Sequence, residues 1–194
     1  GGEKGTLRAL YQVLRRRRLE HGTALRITLA RVLVAPGFLY RTEQPASGNE
    51  AAPVTDLELA TRLSYFLWSS LPDAELRRIA GAGELRDPEN LAAQTKRLLS
   101  DDRVRRLAIQ FGCQWLGVRG FDQLDEKSER HFPDFKDLRG SMYEETIRFF
   151  TDLFQADGPL LSLLDANHTF VNAELANFYG LTVPETTETW FQVS

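Results

Sequence analysis

The sequence predicts an all-α fold: about eight helices in an irregular orthogonal bundle with no significant sheet. Two observations carry this. Apolar residues recur at three- and four-residue spacing along most of the chain, with almost no period-2 alternation, and Thr, Asp or Asn caps alternate with Gly or Pro stops between these runs. With 194 residues and 42% hydrophobic content, roughly 70% of the unfolded chain's surface can be buried, enough to fold without disulfides or a structural metal. The single Cys113 allows no internal disulfide.

Taken in order, residues 1 to 42 form a basic helical segment. The first 41 residues hold nine Lys/Arg against two Glu, so a chain of net charge -3 is strongly dipolar. Such a chain can dock its basic end on its own acidic part, on a partner or on a polyanion. Four successive arginines, Arg15 to Arg18, spread around the whole circumference of a helix rather than along one face. Groove reading is therefore disfavoured, and nucleic acid is not the expected partner. Leu10, Val13, Leu14 and Leu19 give this helix an apolar side to dock. The run from Thr23, with Ala24, Leu25, Ile27, Leu29, Val32, Leu33 and Val34, is apolar enough for a buried helix that Pro36-Gly37 ends. Residues 43 to 54, rich in Pro, Gly, Ser and Ala, read as a linker, and residues 55 to 194 as the main helical domain.

Thr55 and Glu58 make a T-x-x-E capping box. The helix it opens places Leu59, Ala60, Leu63, Phe66 and Leu67 on one buried face, with Arg62, Tyr65 and Ser69 on its flank and Glu58 paired to Arg62 at i, i+4. Trp68 near its end needs a partner for its indole N–H. Pro72 is expected at the first position of the next helix, with Asp73 and Glu75 in its first turn. Asp87 then caps a helix that Pro88 starts, with Leu91, Thr95, Leu98 and Leu99 inward. From Asp101 or Asp102 the next helix carries Val104, Leu107, Ala108, Phe111 and Trp115 on one stripe, ending at Gly117 or Gly120. A polar stretch from Arg119 to Phe135 leads to a long amphipathic helix with Tyr143, Ile147, Phe150, Leu153 and Phe154 inward. After Gly158-Pro159 comes a short helix, and Asn172 and Gly180 bracket the last one. The β-like run Thr169 to Val171 is too short to build on.

Standard chemistry leaves no signature. There is no H-E-x-x-H, C-x-x-C-H, G-x-S-x-G or Walker loop, and His21, His131 and His168 are far apart in sequence, so no metal site is expected. No run of 18 apolar residues exists, so no membrane span is expected. Glu144 and Glu145 are adjacent on a helix and point about 100° apart, so they cannot both face one substrate bond. Glu144 suits an i, i+4 pairing with Arg148. Glu145, nearer the buried side, needs a partner there, with Arg62 or an exposed helix end as the candidates.

The succession LRITLARVLVAPGFLYRTE, LELATRLSYFLWSSLPDAEL, FGCQWLG, YEETIRFF and DANHTFVNAELANFYGL resembles the planctomycete domains of unknown function found in large cytochrome-c-associated multidomain proteins. The motif positions matched are Arg62, Tyr65, Trp68, Pro72, Asp73, Gln114, Trp115, Glu145, Asn172 and Tyr179. The resemblance implies the end of one helical domain followed by most of the next, excised from a large extracytoplasmic protein, with haem c in another domain and neighbouring domains as partners. It supplies no catalytic residue. Two readings follow: a helical scaffold or interaction domain, in which Trp68, Trp115 and the basic helix serve domain contacts, or a catalytic or ligand-binding domain of a redox or polysaccharide-processing exoenzyme. The second would gather Arg62, Tyr65, Asp73 and Glu145 around a cleft, with Asp73 and Glu145 as its catalytic candidates.

Overall fold

A computed structural model describes residues 2–40, 43, 53–124, 127–159, 161–184 and 189–194. The chain divides into two compact units, Gly1–Val54 and Thr55–Ser194. Most of the expected linker, residues 43 to 54, lies outside the described residues. Counting 105 to 115 as one helix, eight helical segments of seven or more residues are present among them.

In the first unit, α1 (Gly2–Arg16) packs on α2 (His21–Leu33), followed by the short α3 (Pro36–Leu39). The expected burial of α2 does not hold. Only Ala24 is buried, while Leu29 and Leu33 are each 54% exposed. One neighbouring helix covers one face, and an apolar run longer than that face stays open. Pro36 does not simply end α2; it occupies the first turn of α3, where its missing N–H costs nothing. Arg15 to Arg18 are all exposed.

The second unit begins with α4 (Asp56–Trp68), whose capping box forms as the sequence predicts: Thr55 Oγ1 accepts from Glu58 N–H, and the Glu58 carboxylate accepts from Thr55 N–H at 2.7 Å. Its buried residues are Ala60, Ser64, Leu67 and Trp68, whereas Phe66, expected inward, is 64% exposed. Trp68 anchors the helix and turns its covered stripe through Ser64. The Ser64 hydroxyl can be buried because it donates to Ser70 O at 2.7 Å.

In α5 (Ala74–Ala82) Asp73 is the N-cap, accepting from Leu76 N–H at 2.9 Å, so Pro72 precedes the helix rather than opening it. Asp87 and Pro88 start α6 (Pro88–Leu99) as expected, although Gln94 joins Leu98 among its buried residues. Together with Leu85, Val104 and Leu107, these helices enclose the first core, centred on Trp68, Leu76 and Leu98.

The next helix departs from a simple stripe. After a 3-10 turn capped by Asp101, α7 (Arg105–Leu107) widens into a π-helical turn, Ala108–Gly112, before α8 (Cys113–Trp115). The wider turn shifts everything after it by about one residue. Gly112 and Cys113 therefore follow Ala108 inward, and Phe111 and Trp115, expected on the buried stripe, are 49% and 59% exposed. Gly117, at φ +71°, closes the helix: Val118 N–H reaches Cys113 O and Gly117 N–H reaches Gln114 O.

The 21-residue α9 (Phe135–Gln155) buries Leu138, Ile147, Phe150 and Leu153. Phe150 packs directly on Gly112, and a methyl group there would sit 2.7 Å from the ring. After α10 (Ser162–Asp165), residues Thr169–Val171 form β1, paired antiparallel with β2 (Phe191–Val193), before α11 (Ala173–Tyr179) is capped by Asn172 and closed by Gly180. From the sequence alone this β run is too short to build on. Its partner lies about 20 residues downstream, and a three-residue strand carries too little periodicity to announce the pairing. The ribbon covers a core of Leu138, Val171, Leu175, Ala176 and Phe191.

Candidate functional site

The conspicuous residues of the first core are engaged in holding it. Trp68 is fully buried, and its indole donates to Leu98 O at 2.9 Å, which meets the need for a partner near the helix end. The Arg103 guanidinium lies 3.4 Å from its ring centroid, and Asp101 orients Arg103 through two bonds of 2.7 Å. Arg103 holds the Asp101 carboxyl well below the usual range, at about 2. Asp73 accepts both terminal nitrogens of Arg97, at 2.7 and 3.1 Å, and the Arg97 hydrogen bond is the main reason its carboxyl also lies below the ordinary value. Arg62 is exposed and Tyr65 half-buried on the flank of α4.

Helix α9 arranges the remaining polar groups on two flanks. On one, Glu144 accepts two hydrogen bonds from Arg105, at 2.9 and 2.5 Å, and pairs with Arg148 Nε at 2.9 Å, the i, i+4 contact expected from sequence. That Nε is buried without an aligned acceptor. Arg148 lies against Trp190, 4.8 Å from its centroid. Residues 144, 148, 151 and 155 of this flank line an open cleft of about 490 Å³, which also holds Arg105, Asp102 and Phe170. His168 sits 3.4 Å from Asp152, with its ring tilted against Phe149 and edge-on to Phe170.

On the other flank is Glu145. Its partners are not the expected ones, Arg62 or an exposed helix end. Its carboxylate accepts from Thr169 Oγ1 at 2.6 Å and from Tyr179 Oη at 2.8 Å, tying α9 to β1 and α11. Burial, followed by this bond, pushes the Tyr179 hydroxyl up to about 12, so it remains a donor at neutral pH. Glu145, Phe149 and Thr169 line a hollow of about 200 Å³ with Trp115, Leu116 and Leu163. Strand β1 separates the two spaces, because successive strand side chains point to opposite faces: Thr169 lines the hollow and Phe170 the cleft.

Of the sequence candidates, the structure joins Trp68 and Asp73 to one network through α6 and the 3-10 turn, and Trp115 and Glu145 to the hollow. Among the described residues the Asp73 carboxylate bonds only to Leu76 N–H and Arg97, and the Glu145 carboxylate only to Thr169 and Tyr179, so neither carboxylate is bound to the other or to Arg62. Sequence reasoning missed Arg97, Arg103, Arg105, Thr169 and Trp190. Arginine-rich helices give no signal of which arginine turns inward.

Among the described residues no group of three His, Cys, Asp or Glu could hold a metal, and no helix is long and apolar enough to cross a membrane. The lone Cys113 is buried, so the residues present do not fit covalent attachment of a haem through two cysteines. Neither curated proteins nor solved structures give a match. A family model described as "PSD4: Protein of unknown function (DUF1592)" matches residues 54–181, from just before the capping box of α4 to just after the glycine that closes α11, and on that match the chain belongs to this family.

Proposed function

We propose that this chain is an interaction module that holds neighbouring domains of a large exported, cytochrome-c-associated protein, with haem c in another domain of that parent. One observation carries the reading. Asp73, Trp68 and Glu144 are committed to a cap, bidentate arginine pairs and core contacts, and the other catalytic candidate, Glu145, is held by the hydroxyls of Thr169 and Tyr179, while large apolar side chains stand in solvent. Phe66 is 64% exposed, Leu71 69%, Trp115 59% and Leu164 83%. Exposed apolar groups of this size mark contact surfaces when they gather, and Trp115 and Leu116 meet the half-buried Leu163 around one hollow. The extracytoplasmic setting rests on the family resemblance.

The test is calorimetry of this chain with the domain that follows it in the parent protein, supplied as a separate polypeptide. Binding is expected, and Trp115→Ala should weaken it about tenfold, roughly 1.4 kcal/mol. Absence of binding, or an undiminished affinity in the variant, contradicts the reading.

A second reading, the ligand-binding or catalytic domain of a redox or polysaccharide-processing enzyme, is favoured by the cleft of Arg105, Glu144 and Arg148. Its volume of about 490 Å³ falls in the range of small-molecule sites, and the buried Arg148 Nε lacks an aligned acceptor. Saturable movement of the Trp190 indole resonance on adding an oligosaccharide would support it over docking.

A further inference from the structure

We infer that the hollow between α8, α9, α10 and β1 receives a basic side chain, lysine or arginine, from a docking partner, with Glu145 as its counter-charge and Trp115 as its aromatic wall. The inference rests on the docking reading above and names the chemistry of what docks. Size decides first. At about 200 Å³ the hollow is smaller than the roughly 300 to 1,000 Å³ of typical small-molecule sites, and it suits one extended side chain.

Charge decides next. Asp56, Asp73, Glu75, Asp101 and Glu144 each have an arginine partner. Among the described residues Glu145 has none; both of its bonds come from neutral hydroxyls, one on each oxygen. A carboxylate offers about four acceptor positions, so each oxygen retains one. Two hydroxyl donors hold the group in place without neutralising it, which is a preformed site for an ammonium or guanidinium.

The walls suit the same ligand. A cation over an indole face gains about 0.5 to 2 kcal/mol, and the protein already pairs Arg103 with Trp68 and Arg148 with Trp190. Trp115 is the tryptophan without such a partner among the described residues, and it is outside because the π-helical turn takes it off the buried stripe. Phe149, Leu116 and Leu163 complete a sleeve for the aliphatic stem.

The test uses the whole chain and its three tryptophan indole resonances. N-acetyl-lysine-methylamide and its apolar counterpart, N-acetyl-norleucine-methylamide, are titrated at matched ionic strength. The lysine probe is expected to move the Trp115 resonance saturably and to bind about tenfold more tightly than norleucine. Glu145→Gln should erase that preference while the Trp68 and Trp190 resonances hold their positions. Trp115→Leu, which alters an exposed side chain, should weaken lysine binding followed at the Thr169 amide, and keeps the inference testable if the Glu145 variant loses its fold. Equal binding of both probes overturns the basic-group inference and leaves apolar docking standing. No movement of Trp115 with either probe overturns it as well and removes the hollow from the docking surface.

Discussion

Gly112 shows how one side chain, or its absence, sets the spacing of two helices. A Cβ there would stand 2.7 to 2.9 Å from three atoms of the Phe150 ring, which is itself buried and cannot swing away. Gly112→Ala should therefore destabilise the protein by about 1 to 3 kcal/mol, the usual cost of overpacking, read as a lower urea midpoint; an unchanged midpoint would mean that α9 is free to move. Asp101 tests the electrostatics. Its carboxyl falls from an ordinary 3.8 to about 2 because Arg103 bonds the charged form, so its contribution is complete above about pH 4 and is lost as pH falls through 2. Asp101→Asn keeps a capping oxygen and removes the charge. Its urea midpoint should lie below that of the parent at pH 6, and the gap should close towards pH 2; a gap independent of pH would contradict the assignment. At this scale the sequence made some roles readable: Asn172, Asp87 and the Thr55–Glu58 box are local, and a local pattern announces a local bond. Glu145 was recognisable as a carboxylate needing a partner. Thr169 and Tyr179 were not recognisable as that partner, because they lie 24 and 34 residues away.

Among the elements, the long amphipathic α9 was the most readable, since five apolar positions over three turns admit only one inward face. The α7–α8 segment was misread for a reason that periodicity cannot correct. A single wide turn changes no residue type, yet it turns Phe111 and Trp115 outward and Gly112 and Cys113 inward. The β ribbon was missed because its pairing is non-local and each strand has only three residues. It still carries weight: Phe191 is 9% exposed and packs with Val171 and Leu175 in the second core. Phe191→Ala should cost about 3 kcal/mol, measured by urea unfolding. A loss below 0.5 kcal/mol would show that the ribbon is dispensable to the α9–α11 core.

For the molecule as a whole, composition and spacing sufficed for the all-α class, and the capping box at Thr55 marks the residue where the second compact unit begins. What a sequence without catalytic motifs cannot display is which polar residues the fold consumes. Here Asp73, Asp101 and Glu144 are consumed by arginines, and Trp68 by the first core, whereas Trp115, Leu116 and Leu164 remain outside. That division is the basis of the docking account, and amide hydrogen exchange tests it most directly. The chain is compared alone and joined to the neighbouring domain that the docking account proposes for its parent protein. The account predicts slower exchange confined to residues 113 to 118 and 161 to 166, the segments bearing the exposed rim of the hollow. Unchanged exchange there, or protection concentrated instead around Arg105 and Arg148, would contradict it.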